Sequence, residues 1–174
     1  MDVDLGMLLL RLALGLTLVV HGWNKVAGAG GIAGTTRWFE GLGLRPGWLH
    51  ARLAATTELG AGALVALGLL TGLGATAFVG LMVVAALTDH RGKGYFVFKG
   101  GNEYTVFIAA AAVALAAAGP GSWSLDRVLN LRLEGVGWAV GAFVGGCAAA
   151  GLLLLSSHRP PVTGSRDGAD GEAA

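Results

Sequence analysis

Apolar residues run with few polar interruptions over Leu5 to Val20, Leu53 to Leu70, Leu73 to Thr88, Tyr104 to Ala118 and Val136 to Leu155. Each run is long enough, as a helix rising about 1.5 Å per residue, to cross most of a hydrocarbon layer about 30 Å thick. The pattern therefore predicts five membrane-spanning helices. The third and fourth, at roughly 16 and 15 residues, reach only about 22 to 24 Å, and need flanking residues or local thinning of the bilayer. Thr71-Gly72 leaves almost no room between the second and third spans, which predicts a tight antiparallel hairpin with the glycine relaxing the backbone. Gly119-Pro120-Gly121 stops the fourth span, and Ser122 to Arg127 reads as an interfacial stretch anchored by Trp123, with Asp126 and Arg127 as solvated loop charges. From Ser156 the chain turns to Pro, Gly, Ser, Asp and Arg, a composition that buries little and predicts disorder over 156–174.

Composition agrees with the pattern. Of 174 residues, 54% are apolar and only 13% charged, whereas a soluble domain carries roughly a quarter of its residues charged. The fold class this implies is all-α, a polytopic transmembrane helix bundle whose first partner is the lipid bilayer. A formal net charge of +1 and the absence of a basic run exclude a nucleic-acid partner. A lone Cys147 excludes an internal disulfide, a CxxC redox pair and a cysteine zinc cage. The acidic start, Met1 to Gly6, lacks the basic n-region of a cleavable signal, so the first span reads as retained. Gly60 with Gly62, and Gly141 with Gly145 and Gly146, would let helix backbones approach closely, unless they only reflect a bias toward small residues. Lys25, Arg37, Arg45, Arg52, Arg91, Lys93, Lys99, Arg159 and Arg166 fall on one side of the five spans, with Arg127 and Arg132 opposite. That asymmetry places the N-terminus outside and the C-terminus in the cytoplasm.

With this topology the chemistry-bearing residues gather at the cytoplasmic end: His21 and Lys25 closing the first span, Glu58 inside the second, Asp89-His90 closing the third, and Asn102-Glu103-Tyr104 opening the fourth. A pocket there, with apolar walls and a few polar groups, suits an amphipathic small molecule. Glu58 is the sharpest signal, because a carboxylate in a membrane helix is costly unless neutral, paired or wet. Arg11 is also intramembrane, and counting helical rise from the cytoplasmic ends makes an Arg11–Glu58 ion pair feasible. That pair would fix helix register, or Glu58 would serve a ligand. His21 is either a hydrogen-bond donor and proton carrier or an interfacial helix end. Glu103 meets the positive end of a helix dipole, and Tyr104 beside it is suited to donate to a bound headgroup. Two histidines without an attachment motif do not make a haem site, and no flavin, nicotinamide or metal motif is present.

His21-Gly22-x-x-Lys25, Glu58-Leu-Gly-Ala-Gly62 running into Leu67-Gly-Leu-Leu-Thr71, Gly100-Gly-Asn-Glu103-Tyr104, and Gly119-Pro-Gly with Ser124-Leu-Asp126 occur in this order and spacing. Over roughly Leu5 to Leu129 the chain thereby resembles the DoxX family of small bacterial plasma-membrane proteins. The resemblance implies a four-helix membrane core over 1–135, leaving 136–155 as a fifth helix and 156–174 as a cytoplasmic tail. It also implies a quinone-linked role, as a subunit of a thiosulfate:quinone-type oxidoreductase or a thiol-homeostasis complex. Such a subunit would work with a soluble redox or sulfur-transfer enzyme rather than alone. His21, Lys25, Glu58 and Glu103 match the family's recurrent polar positions. Gly72 departs from it, standing where a basic residue is frequent. A quinone headgroup would then meet His21, Lys25, Glu58, Glu103 and Tyr104. The competing expectation is a noncatalytic anchor that recruits a soluble partner through its basic loops. Homo-oligomerisation is compatible with either.

Overall fold

The computed structural model describes residues 2–159. Its helices are α1 (Asp2–Ala27), α2 (Gly31–Gly41), α3 (Gly47–Leu67), α4 (Thr71–Leu87), α5 (Glu103–Ala118), α6 (Leu125–Val128) and α7 (Val136–Ser157), with a 3₁₀ turn at Val97–Lys99. Among the described residues there is no strand, only an isolated antiparallel bridge between Leu44 and His158. The five expected apolar runs lie in α1, α3, α4, α5 and α7. Of these, α1 and α7 are long and apolar enough to cross a membrane, and α4 and α5 are apolar but shorter. Residues 21–52, polar by comparison, fold into the end of α1, the extra helix α2 and the start of α3.

Helix α1 outruns its apolar stretch at both ends. Asp2 and Asp4 in its first turn and Lys25 in its last each oppose the helix dipole with the favourable sign. It packs antiparallel on α3: Gly15 sits opposite Gly62 and Ala66, and Gly22 opposite Leu59 and Glu58. A Cβ on Gly15 would stand 2.5 Å from the Gly62 carbonyl oxygen, so the two backbones touch where lipid supplies no hydrophobic drive. Helix α4 returns from α3, and α7 runs parallel to α4, with Gly72 against the Trp138 ring and Gly146 against Val79. The core between the helices holds Leu14, Leu18, Val65, Ala75, Phe78, Ala112, Leu115 and Ala142. Outward-facing Leu9, Leu16, Phe107, Phe143 and Leu152 are exposed, an apolar coat that a water-soluble fold would bury.

Two expectations need correction. The α3–α4 hairpin does not turn on Gly72, which is helical. It turns on Gly68 and Leu70, whose φ values are 64° and 51°. The fifth helix, α7, supplies Ala142 to the core. The expected tail begins ordered: α7 runs to Ser157, whose carbonyl accepts the Arg45 N–H (2.9 Å), and the Arg159 N–H donates to the Gly43 carbonyl (2.6 Å). Residues 160–174 of that tail lie outside the described residues.

The glycines divide by surroundings: Gly62 and Gly146 face close backbone or side-chain contacts, whereas a Cβ on Gly60 or Gly141 would meet nothing within 4 Å. Gly15→Ala should therefore cost about 1–3 kcal/mol through overpacking. Gly60→Ala should stay within about 0.5 kcal/mol of the parent. Thermal unfolding of the two variants in detergent checks the difference.

Candidate functional site

The junction of α1, α2 and α3 concentrates charge in an apolar bundle. Gly22 admits α3 so closely that a Cβ there would sit 3.0 Å from the Glu58 Cβ. One turn on, Lys25 reaches across with its Nζ 2.8 Å from Glu58 Oε1 and 2.7 Å from Oε2. The side chains are 11% and 10% exposed. Two of the three ammonium donors thus go to one carboxylate, leaving one N–H. The Nζ also lies 6.0 Å from the Trp38 ring centroid, at the outer reach of a cation–π contact.

The turn after α1 bends at Gly30 and Gly31, both at positive φ, and brings α2 back over this end. The Thr35 hydroxyl then lies 3.2 Å from the Lys25 carbonyl oxygen and 3.1 Å from that of Gly31. Between α1 and α2 a groove of about 310 Å³ remains, lined by His21, Asn24, Lys25, Thr35 and Trp38 among others. A larger groove of about 420 Å³ lies where Arg159 passes the α2–α3 turn, lined by Glu40, Arg45, Ser156 and Ser157. The smaller groove is the better candidate, because it opens beside a desolvated ion pair and an aromatic face.

Of the residues expected to meet, Lys25 pairs with Glu58 and lines the groove together with His21, which is exposed on its rim. Glu103 and Tyr104 do not: they open α5, which packs on α4 and α7. The Glu103 carboxylate accepts the Val97 N–H at 2.9 Å, and the Tyr104 side chain is exposed. Asn24, Thr35 and Trp38 carry no signal in the apolar runs. Asn24 lies on the polar end of α1, and Thr35 and Trp38 are placed by α2, whose Ile32, Thr35 and Phe39 recur at helical spacing.

The expected Arg11–Glu58 pair is replaced by two separate partnerships. Because α1 runs on to Ala27, Lys25 is level with Glu58. Arg11 lies 14 residues earlier, about 21 Å along the axis, beside the C-terminal end of α3. There its guanidinium donates to the carbonyls of Ala66 (3.3 Å) and Trp123, acceptors at the negative end of a helix and in a loop. Asp126, expected to be solvated, is 1% exposed and is the negative charge that acts on Arg11. Its carboxylate accepts the N–H groups of Leu70 (2.7 Å) and Thr71 (2.9 Å), capping α4 from a distant segment. Its own N–H donates to the Gly68 carbonyl at 2.8 Å.

Breaking a buried pair strands the surviving charge, so Lys25→Met and Glu58→Gln should each lower stability by about 3–5 kcal/mol. The double variant should cost clearly less than their sum, and a double-mutant cycle of denaturation free energies in detergent reads the difference. Asp126→Ala should cost about 2–4 kcal/mol through two orphaned amides and a buried guanidinium. Its measure is the unfolding midpoint, with Asp126→Asn recovering part of the loss.

A family model described as DoxX matches residues 6–91. Among curated proteins, the inner membrane protein YqjF of Escherichia coli (strain K12) is 30% identical over 134 residues, covering 74% of this chain and 95% of that protein. No solved structure matches at a significant level. Residues 6–91 include Arg11, His21, Lys25, Thr35, Trp38 and Glu58, so the ion pair and the groove fall within the matched region. An apolar helical bundle, a family model over the α1–α4 region and a relative spanned almost from end to end agree: the chain is a membrane protein of the DoxX family.

Proposed function

We propose that this chain is the membrane subunit of a quinone-linked oxidoreductase or thiol-homeostasis complex, and that it takes a quinone headgroup in the α1–α2 groove. The observation that carries the reading is the bidentate Lys25–Glu58 pair beside an open groove of about 310 Å³. That volume is at the small end of ligand sites, which suits a headgroup whose tail lies in lipid. The donor set fits two carbonyl oxygens: the His21 imidazole, the Asn24 amide and the remaining N–H of Lys25. Trp38 offers a ring face for stacking.

A bound quinone supplies two-electron, two-proton chemistry at its carbonyl oxygens. Against it the residues divide the work. Glu58 holds the Lys25 ammonium charged and fixed in direction, so that a partial negative charge on a nearby oxygen is met by a preorganised cation. His21, on the exposed rim, is placed to pass a proton between water and the groove. The only cysteine is Cys147 in α7, so the electrons come from a soluble partner, with sulfur-transfer and thiol enzymes as the fitting classes.

In this reading all five long helices cross the bacterial plasma membrane, with the N-terminus outside and the groove opening toward the cytoplasm. The supports are the one-sided distribution of Lys and Arg in the sequence and the inner-membrane location in the name of the Escherichia coli relative.

Protein purified in mild detergent from native membranes should carry close to stoichiometric quinone on extraction. His21→Ala, which leaves the ion pair intact, should lower that content about tenfold, the worth of one hydrogen bond, with the unfolding midpoint unchanged. Background quinone in the parent protein overturns the reading in favour of an anchor that recruits a soluble partner.

A further inference from the structure

The α4–α5 connection belongs to neither the groove nor the core. Tyr95, Phe96, Val97 and Phe98 are 53%, 51%, 42% and 78% exposed, four consecutive large apolar side chains left uncovered among the described residues. Yet the loop that carries them is tightly built. The Gly101 N–H donates to the Phe96 carbonyl (3.0 Å), Asn102 N–H to Gly94 (3.1 Å) and Glu103 N–H to Tyr95 (2.8 Å). Glu103 accepts from Val97, and His90 Nδ1 lies 2.7 Å from the Gly100 carbonyl oxygen. Gly101 is required for this closure, since a Cβ there would sit 2.5 Å from the Gly94 oxygen. The rings are organised among themselves: Phe96 and Phe98 stack at 5.4 Å, and Tyr95 meets Phe96 edge-on at 5.7 Å. Displaying aromatic surface from so fixed a backbone calls for a partner outside the chain.

Helix length identifies that partner. At 17 and 16 residues, α4 and α5 span only about 25 Å, less than a hydrocarbon layer of about 30 Å. The loop joining them therefore starts at the level of the lipid headgroups rather than in bulk water. Arg91, Lys93 and Lys99 flank the aromatic stretch and complement lipid phosphates. Tyr95 is an amphipathic ring of the kind that settles at a membrane interface, and Phe96 and Phe98 beside it are purely apolar rings that gain by entering the acyl side of that layer.

We propose that Tyr95–Phe98 is a preformed finger that inserts into the headgroup layer of the membrane the bundle occupies, completing the two short helices. Its aromatic rings reach below the phosphates, and Arg91 and Lys99 meet the phosphates. Glu103 and His90 act as latches that keep the finger closed. The inference rests on membrane residence alone and is independent of quinone.

Spin-label accessibility tests it on the full chain. On a Cys147→Ala background, single labels go on Phe98→Cys, Arg91→Cys and Phe107→Cys, the last an exposed residue of α5, in vesicles of phosphatidylcholine and phosphatidylglycerol. The label at 98 should resemble the one at 107, with an oxygen-to-nickel accessibility ratio several-fold above that at 91. Glu103→Ala, which removes the acceptor of the Val97 N–H, should move the ratio at 98 toward that at 91 without changing the quinone content. A label at 98 as open to the water-soluble nickel complex as the label at 91 overturns the proposal and leaves the finger as a dock for a soluble protein.

Discussion

Every charge that the bundle carries inward has to be answered inside it, because neither lipid nor an apolar core solvates an ion. Two clusters do this, at opposite ends of the α1–α3 pair. Lys25 and Glu58 neutralise each other where α1 ends. Arg11, near the start of the same helix, is met by the carbonyls of Ala66 and Trp123 and by the charge of Asp126. Between them the two helices touch through Gly15 and Gly62. Sliding one helix along the other by a turn would break both clusters at once, so polar chemistry sets a register that apolar packing alone would leave degenerate.

The same economy joins the remaining helices. Asp126 comes from α6, beyond α5, yet caps α4 and bonds to Gly68, the residue that ends α3 as its C-cap. Gly72 and Gly146 let α7 lie against α4, and Leu153 and Leu154 near its end pack on the small cluster of Phe39, Leu44 and Ala51 under α2. The groove is thus framed by α1 and α2 and supported from beneath by α3.

Much of the helical layout was legible, because uninterrupted apolar runs have few alternatives to long helices. The extra reach of α1 was less so: its polar continuation past Val20 breaks the apolar pattern, although Lys25 at a helix end satisfies the dipole. That extension is why depth counting favoured Arg11 as the partner of Glu58, when the nearer cation by height is Lys25. Helix α2 was hidden for the opposite reason, since it is amphipathic and short. Asp126 had a loop environment in sequence and a core environment in space. Its only trace was a hairpin at Thr71 too tight to hydrate its own amides. Glu103 and Tyr104 were grouped with the groove because they share its end of the bundle, but one end has a circumference, and α5 stands on another part of it.

The capping of α4 has a consequence for the order in which the chain can be completed. Thr71 and the carboxylate that satisfies it are 55 residues apart. At a synthesis rate of about 5–20 residues per second, the α3–α4 turn exists for roughly 3 to 11 s before its acceptor has been translated. Through most of that interval the Trp123 carbonyl that accepts from the Arg11 guanidinium is missing as well. The helices that precede Asp126 are therefore an unfinished assembly, and their final docking is timed by the arrival of a single aspartate from the later half of the polypeptide.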